Sequence, residues 1–447
     1  MKSTLTALIT ILALAATTGC TKDDSDNLGD GLGSHSEDFN VNYTIKQSRS
    51  SKRGICGDLA LPQFDIPTIA EGVGWYYNWS SNCPSATMLA LLPKYDMTFL
   101  PMAWNNNYNA AAIRSYKEAQ PEAQFLLAYN EPNLTDQANM TPAQAAEKWG
   151  DLVALAEETG LKLISPALNY GTLENYHDPV QWFDEFLACE GVSLDDMYGI
   201  ALHCYMPNVA ALRSYIHLFE KYNKPIFLTE FCHANSSITN NTTSQLNYMC
   251  ETVNYLEAEP MVEGYSWFMD RASGDWGAIA VFNNNASSPA LTDLGKAYIY
   301  ASSLDTDVYY GVREAIPAEH YCNNSLSESA ANGETSLAAA PHVGPSTDST
   351  GVLELRDFYT VGSWVEYNVQ LDESRTYALA LRYNSPLRDS TFEISIDGEV
   401  VGEVTLPVGE GWKTHWLEGL DLTAGKHTMR ITLTTLGRAN FNWFYFD

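Results

Sequence analysis

The 447 residues carry 25 basic against 55 acidic side chains, a formal net charge of -30. That balance argues against nucleic acid as a partner and against binding to anionic membrane surfaces. The length exceeds one ordinary domain, and 45% apolar residues are enough for a large core plus a smaller module. The 11 Trp, 26 Tyr and 16 Phe are a high aromatic content. Exposed rings stack on sugar faces, but most rings in any chain are core, so this count decides little.

The chain opens on a processing signal: Lys2, the apolar run Leu5 to Ala16, then Thr17-Thr18-Gly19-Cys20. The run is too short to span a bilayer. Small residues before a cysteine resemble a bacterial lipobox, which implies cleavage before Cys20 and lipid on its thiol; ordinary secretion with an incidental cysteine is the alternative. Lys22-Asp23-Asp24 resembles the acidic export signal of surface lipoproteins in Bacteroidetes-type bacteria. The expected location is the outer face of the outer membrane, with the membrane as partner through a lipid anchor. Residues 1–19 are then signal peptide and 20–52, rich in Ser, Asp, Gly and Asn, a flexible tether. Lipidation leaves seven cysteines, an odd number for an oxidising compartment. Cys56 with Cys83, and Cys232 with Cys250, are candidate bridges. No CxxC spacing or Cys/His cluster suggests zinc.

From Lys52-Arg53-Gly54 onward, strand-like and helical patterns alternate. Strands are predicted at Val73–Asn78, Thr98–Trp104, Phe125–Glu131, Leu161–Ala167, Gly199–Tyr205, Pro225–Phe231 and Glu263–Met269. Helices are expected over Ala86–Leu92, Ala110–Glu118 and Thr141–Thr159, the last with Thr141-Pro142 as cap and first turn. The closing helix runs Leu291–Ser302. Strict β/α alternation predicts a (β/α)8 TIM-type barrel over residues 53–302, its remaining strand short or irregular and expected between the first two. A linker at 303–310 leads to residues 311–447, where alternating strands such as Trp364–Val369 and Thr391–Ile396, with an Asp397-Gly398 hairpin turn, predict an all-β jelly-roll sandwich. Residues 323–350 read as a long loop within it.

Two buried-strand runs end in carboxylates. Phe125–Ala128 leads into Asn130-Glu131-Pro132, and Pro225–Leu228 into Thr229-Glu230-Phe231. Pro132 stops the ladder, so Glu131 stands where its strand leaves the core. Catalytic side chains of barrels occupy such strand ends. Glycosidic hydrolysis needs one carboxylic acid to protonate the leaving oxygen and a second carboxyl group opposite, about 5–5.5 Å away in retaining enzymes. One strand-end Glu is more often a cap or ion-pair partner; two in these contexts are harder to dismiss.

Asn130-Glu131-Pro132 resembles the acid/base motif of retaining (β/α)8 glycoside hydrolases, and Thr229-Glu230-Phe231 their nucleophile strand. With Lys52–Gly54, Trp75–Trp79, Phe99–Trp104, Ala201–Tyr205 and Tyr265–Met269, the ordered set resembles glycoside hydrolase family 128, the endo-β-1,3-glucanases. The resemblance implies Glu131 as acid/base and Glu230 as nucleophile; to be protonated at rest Glu131 needs a raised pKa, through desolvation or the neighbouring negative Glu230. Physical roles agree: Asn130 is placed to hydrogen-bond a sugar hydroxyl. His203 and Tyr205 alternate on one strand face at the mouth, where they can orient the carboxylates or bind substrate. Trp75, Trp104 and Trp267 can stack on sugar faces, and Asn78 is a further substrate-binding candidate. For each there is a plainer role: strand capping for Asn130, a satisfied core histidine for His203, core packing for the tryptophans. Trp79, in a polar loop, is expected to be exposed, and His233 is a weaker candidate. No metal or cofactor is expected in the barrel.

Residues from about 311 resemble family 6 carbohydrate-binding modules through Ala318–Tyr321, Gly362–Tyr367, Tyr377–Tyr383, Gly425–Thr428 and Asn440–Phe444. The resemblance implies sugar clamped by Phe358 and Trp412 with Asn440 bonding its hydroxyls. Pro317-Ala318-Glu319 stands where the family has Glu-Ala-Glu, which leaves Glu319 and Asp447 as candidate ligands for a structural calcium. The reading is a monomeric, surface-anchored, retaining endo-β-1,3-glucanase acting on β-glucan. Another β-glycan, or a non-catalytic glycan-capturing lipoprotein, are the alternatives.

Overall fold

A computed structural model describes residues 36–83, 85–234, 241–331 and 342–447. Cys20, the signal peptide and the first part of the tether lie outside the described residues. Eight parallel strands build the first layer: β1 (Arg53–Cys56), β2 (Trp75–Tyr77), β3 (Thr98–Phe99), β4 (Phe125–Leu127), β5 (Lys162–Ile164), β6 (Ile200–Cys204), β7 (Ile226–Phe231) and β8 (Val262–Phe268). They pair in the order β3-β2-β1-β8-β7-β6, with β4-β5 as a separate pair. Parallel bridges Met102–Leu127, Ile164–Gly199 and Leu168–Leu202 close the circle on both sides of that pair. The strand that sequence left unplaced is β1, before the first named strand rather than after it. An arginine does not read as barrel wall, yet Arg53 is 1% exposed. Its guanidinium donates to Tyr265 Oη, Glu257 and the carbonyls of Tyr298, Ala301 and Ser302, which satisfies a charge that would otherwise be costly to bury.

Helices α1 (Pro62–Ile69), α2 (Ala86–Leu91), α3 (Ala110–Ala119), α4 (Pro142–Ala146), α5 (Trp149–Thr159), α6 (Pro179–Leu187), α7 (Val209–His217), α8 (Thr242–Ala258) and α9 (Asp293–Tyr300) surround the strands. Thr141 caps α4 in a capping box with Gln144, and Pro142 follows at the first turn. The single helix expected over 141–159 is interrupted at Glu147-Lys148.

Two antiparallel sheets make the second layer pair. One runs His342–Pro345, Leu353–Phe358, Ala439–Phe446, Arg375–Asn384, Lys413–Leu422; the other runs Asn323–Asn324, Trp364–Leu371, Gly425–Leu433, Ser390–Ile396, Glu399–Leu406. The Asp397-Gly398 turn has φ of 51° and 85°, the left-handed pair that a tight hairpin demands. Within 323–350, expected as loop, Ser325–Ala331 is helical and His342–Pro345 is a strand.

The barrel and sandwich share a packed junction. Asn254 of α8 accepts from Tyr321 Oη and Asn324, and its carbonyl accepts from Ser327. Ser302 Oγ donates to the Tyr321 carbonyl. The expected free tether also ends earlier than residue 52, because residues 37–50 strap both layers together. Phe39 packs on Trp416, Trp443 and Tyr445. Gln47 bonds the carbonyls of His320 and Tyr321, and Arg49 those of Ala70, Tyr95 and Asp96. Composition hid this: polar residues with a few spaced aromatic rings read as solvated chain.

All seven cysteines among the described residues are free thiols, so neither expected bridge forms. Cys250 faces the sandwich and donates to the Val343 carbonyl, while Cys232 is buried directly after β7. Cys56 Sγ donates to the Trp267 carbonyl.

Candidate active site

The carboxyl end of β4 continues through Asn130, whose N–H donates to the Trp104 carbonyl, to Glu131, whose N–H donates to that of Ala167. Glu131 has φ of 43°, a strained region for a side chain with a Cβ, and Pro132 turns the chain away. Glu230 is the next-to-last residue of β7 and His203 that of β6, paired side by side. All three are buried: His203 0%, Glu230 5% and Glu131 6% exposed.

His203 Nδ1 lies 2.9 Å from Glu131 Oε1 and 3.5 Å from Glu230 Oε2. One donor atom from each of the three falls within 4.8 Å of the others, the only such set among the described residues whose atoms could converge on a metal ion. Glu230 receives a 2.7 Å hydrogen bond from Trp79 Nε1 and a 3.0 Å one from Tyr77 Oη on the same oxygen; Tyr205 Oη donates to the other. Asn169 Nδ2 donates to Glu131 Oε1 at 3.3 Å.

Electrostatics contradict the expected raised pKa of Glu131. Burial pushes its carboxyl up, but the His203 charge and the hydrogen bonds from His203 and Asn169 outweigh burial and hold it below the ordinary value. For His203, burial pulls down while Glu230 and then Glu131 push up, and the net direction is up. The pair therefore keeps one proton, on the imidazole side, beside a second carboxylate.

The sequence candidates divide. Glu131, Glu230, His203 and Tyr205 come together. Asn130 is 3% exposed, donates to Gln137 and leaves its Oδ1 without a partner beside the site. Trp104 stands half-buried just beyond β3 and packs on the barrel interior. Asn78 bonds Asp58 instead of either carboxylate.

Trp75 is a correction. It begins β2, so it fills the opposite end of the barrel, where a Cβ on Gly54 would overlap its ring. It lines a cavity of about 350 Å³ there with Phe125 and Phe227. Trp267 is the second correction: fully buried, it packs outward on Phe231 and Tyr298 and donates to the Ile279 carbonyl. Strand alternation then hands the mouth to Phe268, against Trp79 and Tyr205. His233 packs on Tyr248, and its backbone is held by Gln245, a structural role.

Sequence reasoning missed Tyr77, Asn169 and Phe268; Trp79 lies in a loop as expected but is half-buried rather than exposed, with its Nε1 on Glu230. The two-residue period from Trp75 to Tyr77 was the available signal for the first; nothing local marked Asn169.

Residues 62–298 match the family described as glycosyl hydrolase catalytic core, and residues 346–447 match carbohydrate binding module (family 6). The chain belongs to the glycosyl hydrolase catalytic core family. Its barrel is similar to the crystal structure of a family 128 (subgroup II) endo-β-1,3-glucanase from Pseudomonas viridiflava: 34% identity, 56% of this chain, 98% of that one, TM-score 0.51. A second family 128 (subgroup II) endo-β-1,3-glucanase, from Sorangium cellulosum, is 28% identical over 56% of this chain and 98% of its own, TM-score 0.47. Alkali-sensitive linkage protein 1 of Schizosaccharomyces pombe (strain 972) is 29% identical over 266 residues, 56% of this chain. The chain spans less than half, 45%, of that curated relative. The catalytic core thus carries the family 128 fold and a family 6 module behind it.

In the module, Phe358 is a correction: 1% exposed, it packs in the sandwich core on Phe392 and Phe441, while its neighbour Tyr359 is 46% exposed. Trp412 and Asn440 do meet, through Thr347 and Glu354. Trp412 Nε1 donates to Thr347 Oγ1 at 3.0 Å, Thr347 donates to Glu354 Oε2, and Asn440 donates to Glu354 Oε1 at 2.9 Å. Of the two calcium candidates, Glu319 is fully buried and accepts from Tyr43 of the strap, and burial pushes its carboxyl up to about 8. Asp447 pairs with Arg313.

Proposed function

We propose that the barrel is a retaining endo-β-1,3-glucanase, with Glu230 as nucleophile and Glu131 as acid/base. The observation that carries this is the convergence of both carboxylates on His203 within 4.8 Å. Retention needs carboxyl groups about 5–5.5 Å apart, whereas inversion needs about 6.5–9.5 Å to admit a water. The subgroup II relative, named an endo-β-1,3-glucanase, supports the substrate and the endo mode.

In the first step a Glu230 oxygen attacks the anomeric carbon, the bond to the leaving oxygen breaks, and Glu131 protonates that oxygen. Three donors fix the Glu230 carboxylate for the attack. The proton comes from the one shared by His203 and Glu131. Once Glu230 is an ester its charge is gone, and His203 loses the first of the influences that raise it. Glu131, now ionised, takes a proton from water; the water attacks the anomeric carbon and Glu230 leaves. Asn130, with a buried unpartnered Oδ1, is placed to accept from a sugar hydroxyl.

The module holds β-glucan at the Trp412–Asn440 end, and lipid on Cys20 keeps the enzyme on the outer face of the outer membrane. Product release from laminarin and curdlan, beside xylan, mannan and mixed-linkage glucan, tests the function in wild type and Glu230→Gln. Release from the β-1,3-glucans that vanishes in the variant is expected. Cleavage of another polymer alone would overturn the substrate, and binding without cleavage would indicate a capture protein. Metabolic lipid labelling of wild type and Cys20→Ser tests the anchor.

A further inference from the structure

In folded proteins Trp is highly buried on average and Tyr is intermediate. Among the described residues of the barrel, two stay exposed, Tyr170 at 52% and Trp276 at 42%. Both stand on the mouth side, and each connects to a different catalytic carboxylate.

Tyr170 directly follows Asn169, the donor to Glu131 Oε1. The wall up to it is rigid: Ala167 bridges Asn130, Leu168 bridges Leu202, and Tyr215 Oη donates to the Leu168 carbonyl. The Tyr170 ring rests on Tyr215, centroids 5.3 Å apart, which fixes one face and leaves the rest to solvent.

Trp276 belongs to the short helix Gly274–Ile279 after β8. Its ring meets Phe268 edge-on with centroids 6.1 Å apart. Phe268 in turn touches Trp79 and Tyr205, two donors to Glu230. An unbroken aromatic wall thus runs outward from the Glu230 carboxylate to solvent.

We propose that Tyr170 and Trp276 are sugar platforms on opposite sides of the scissile bond, Tyr170 under the leaving-group side and Trp276 under the side that becomes bound to Glu230. This rests on the retaining glucanase reading, because the sides are assigned from the roles of Glu131 and Glu230. The C–H faces of a pyranose are flat and apolar, and a fixed ring with one free face covers them at little entropic cost. Platforms beyond the catalytic residues on both sides let a chain lie across the mouth instead of ending in it. The substrate class is therefore a β-1,3-glucan segment long enough to reach both rings.

The test compares wild type, Tyr170→Ala and Trp276→Ala on laminari-oligosaccharides of increasing length, with calorimetric binding of laminarihexaose to the same substitutions in Glu230→Gln. Each single variant is expected to lower the ratio of kcat/KM for laminarihexaose to that for laminaritriose by about tenfold. The two should shift the cleavage position in opposite directions, and Tyr170→Phe and Trp276→Phe should restore most of the loss. An unchanged ratio, or equal losses at every length, would overturn the proposal, since a merely structural defect is blind to chain length. A wild type that binds laminarihexaose without cleaving it would overturn the glucanase reading, and the binding arm would still decide the platforms. Failure to bind it at all would overturn both.

Discussion

His203 Nδ1 stands 2.9 Å from Glu131 Oε1, so the acid/base carboxylate of the proposed reaction shares its proton with a fully buried imidazole. The raised His203 pKa means that the pair keeps this proton to higher pH than free histidine would and loses it as pH rises through that raised value. Replacing His203 by Gln leaves Glu131 to hold the proton unaided. The alkaline limb of the kcat/KM profile is expected to move to lower pH, with kcat reduced about tenfold or more. An unmoved limb would make His203 a packing residue.

Trp79 Nε1 gives Glu230 one of its hydrogen bonds, at 2.7 Å. Trp79→Phe keeps a ring against Phe268 and removes the donor. Hydrogen bonds to charged groups contribute about 1.5–3 kcal/mol, so kcat should fall roughly 10- to 100-fold. Steady-state kinetics read this directly; a change confined to KM would assign Trp79 to sugar binding instead.

Glu319 predicts a stability slope. Its folded pKa of about 8 lies above the ordinary 4.5, so the native state retains a proton that the unfolded chain releases between those values. The stability it contributes is complete below pH 4.5 and is lost as pH rises through 8, at up to about 1.4 kcal/mol per pH unit. Glu319→Gln, which keeps an acceptor for Tyr43, should flatten the pH dependence of denaturant unfolding over that range. An unchanged slope would contradict the assignment.

The strap predicts a measurable contribution to folding. Phe39 packs on Trp416, Trp443 and Tyr445 and is itself half-buried. Phe39→Ala should lower stability by about 1–2 kcal/mol, a shift of a few degrees in Tm. A chain starting at residue 51 should lose more, because Arg49 and Ser50 go with it. Equal Tm values for all three proteins would mean that the strap only lies on the surface.

Much of this was legible in the chain because strand ends announce themselves. Asn130-Glu131-Pro132 and Thr229-Glu230-Phe231 break apolar runs with a carboxylate, and barrel geometry brings such ends together. The side on which a ring projects was less legible. Trp75 and Trp267 sit on the right strands, but one lies too early on its strand and the other points outward, so Tyr77 and Phe268 occupy the mouth. A strand as short as Arg53–Cys56, opened by an arginine, carries no hydrophobic period to read. The Glu131 pKa departs from expectation for a related reason: sequence counts the nearby carboxylate but cannot place the imidazole between the two.

The most direct test of the two-step mechanism is trapping with a 2-deoxy-2-fluoro laminaribiosyl donor bearing a good leaving group, followed by peptide mass spectrometry. One laminaribiosyl adduct per chain, on the peptide carrying Glu230 and absent from Glu230→Gln, is the predicted result. An enzyme that turns over β-1,3-glucan but forms no adduct, or forms it on another carboxylate, would contradict the assignment of Glu230 as nucleophile.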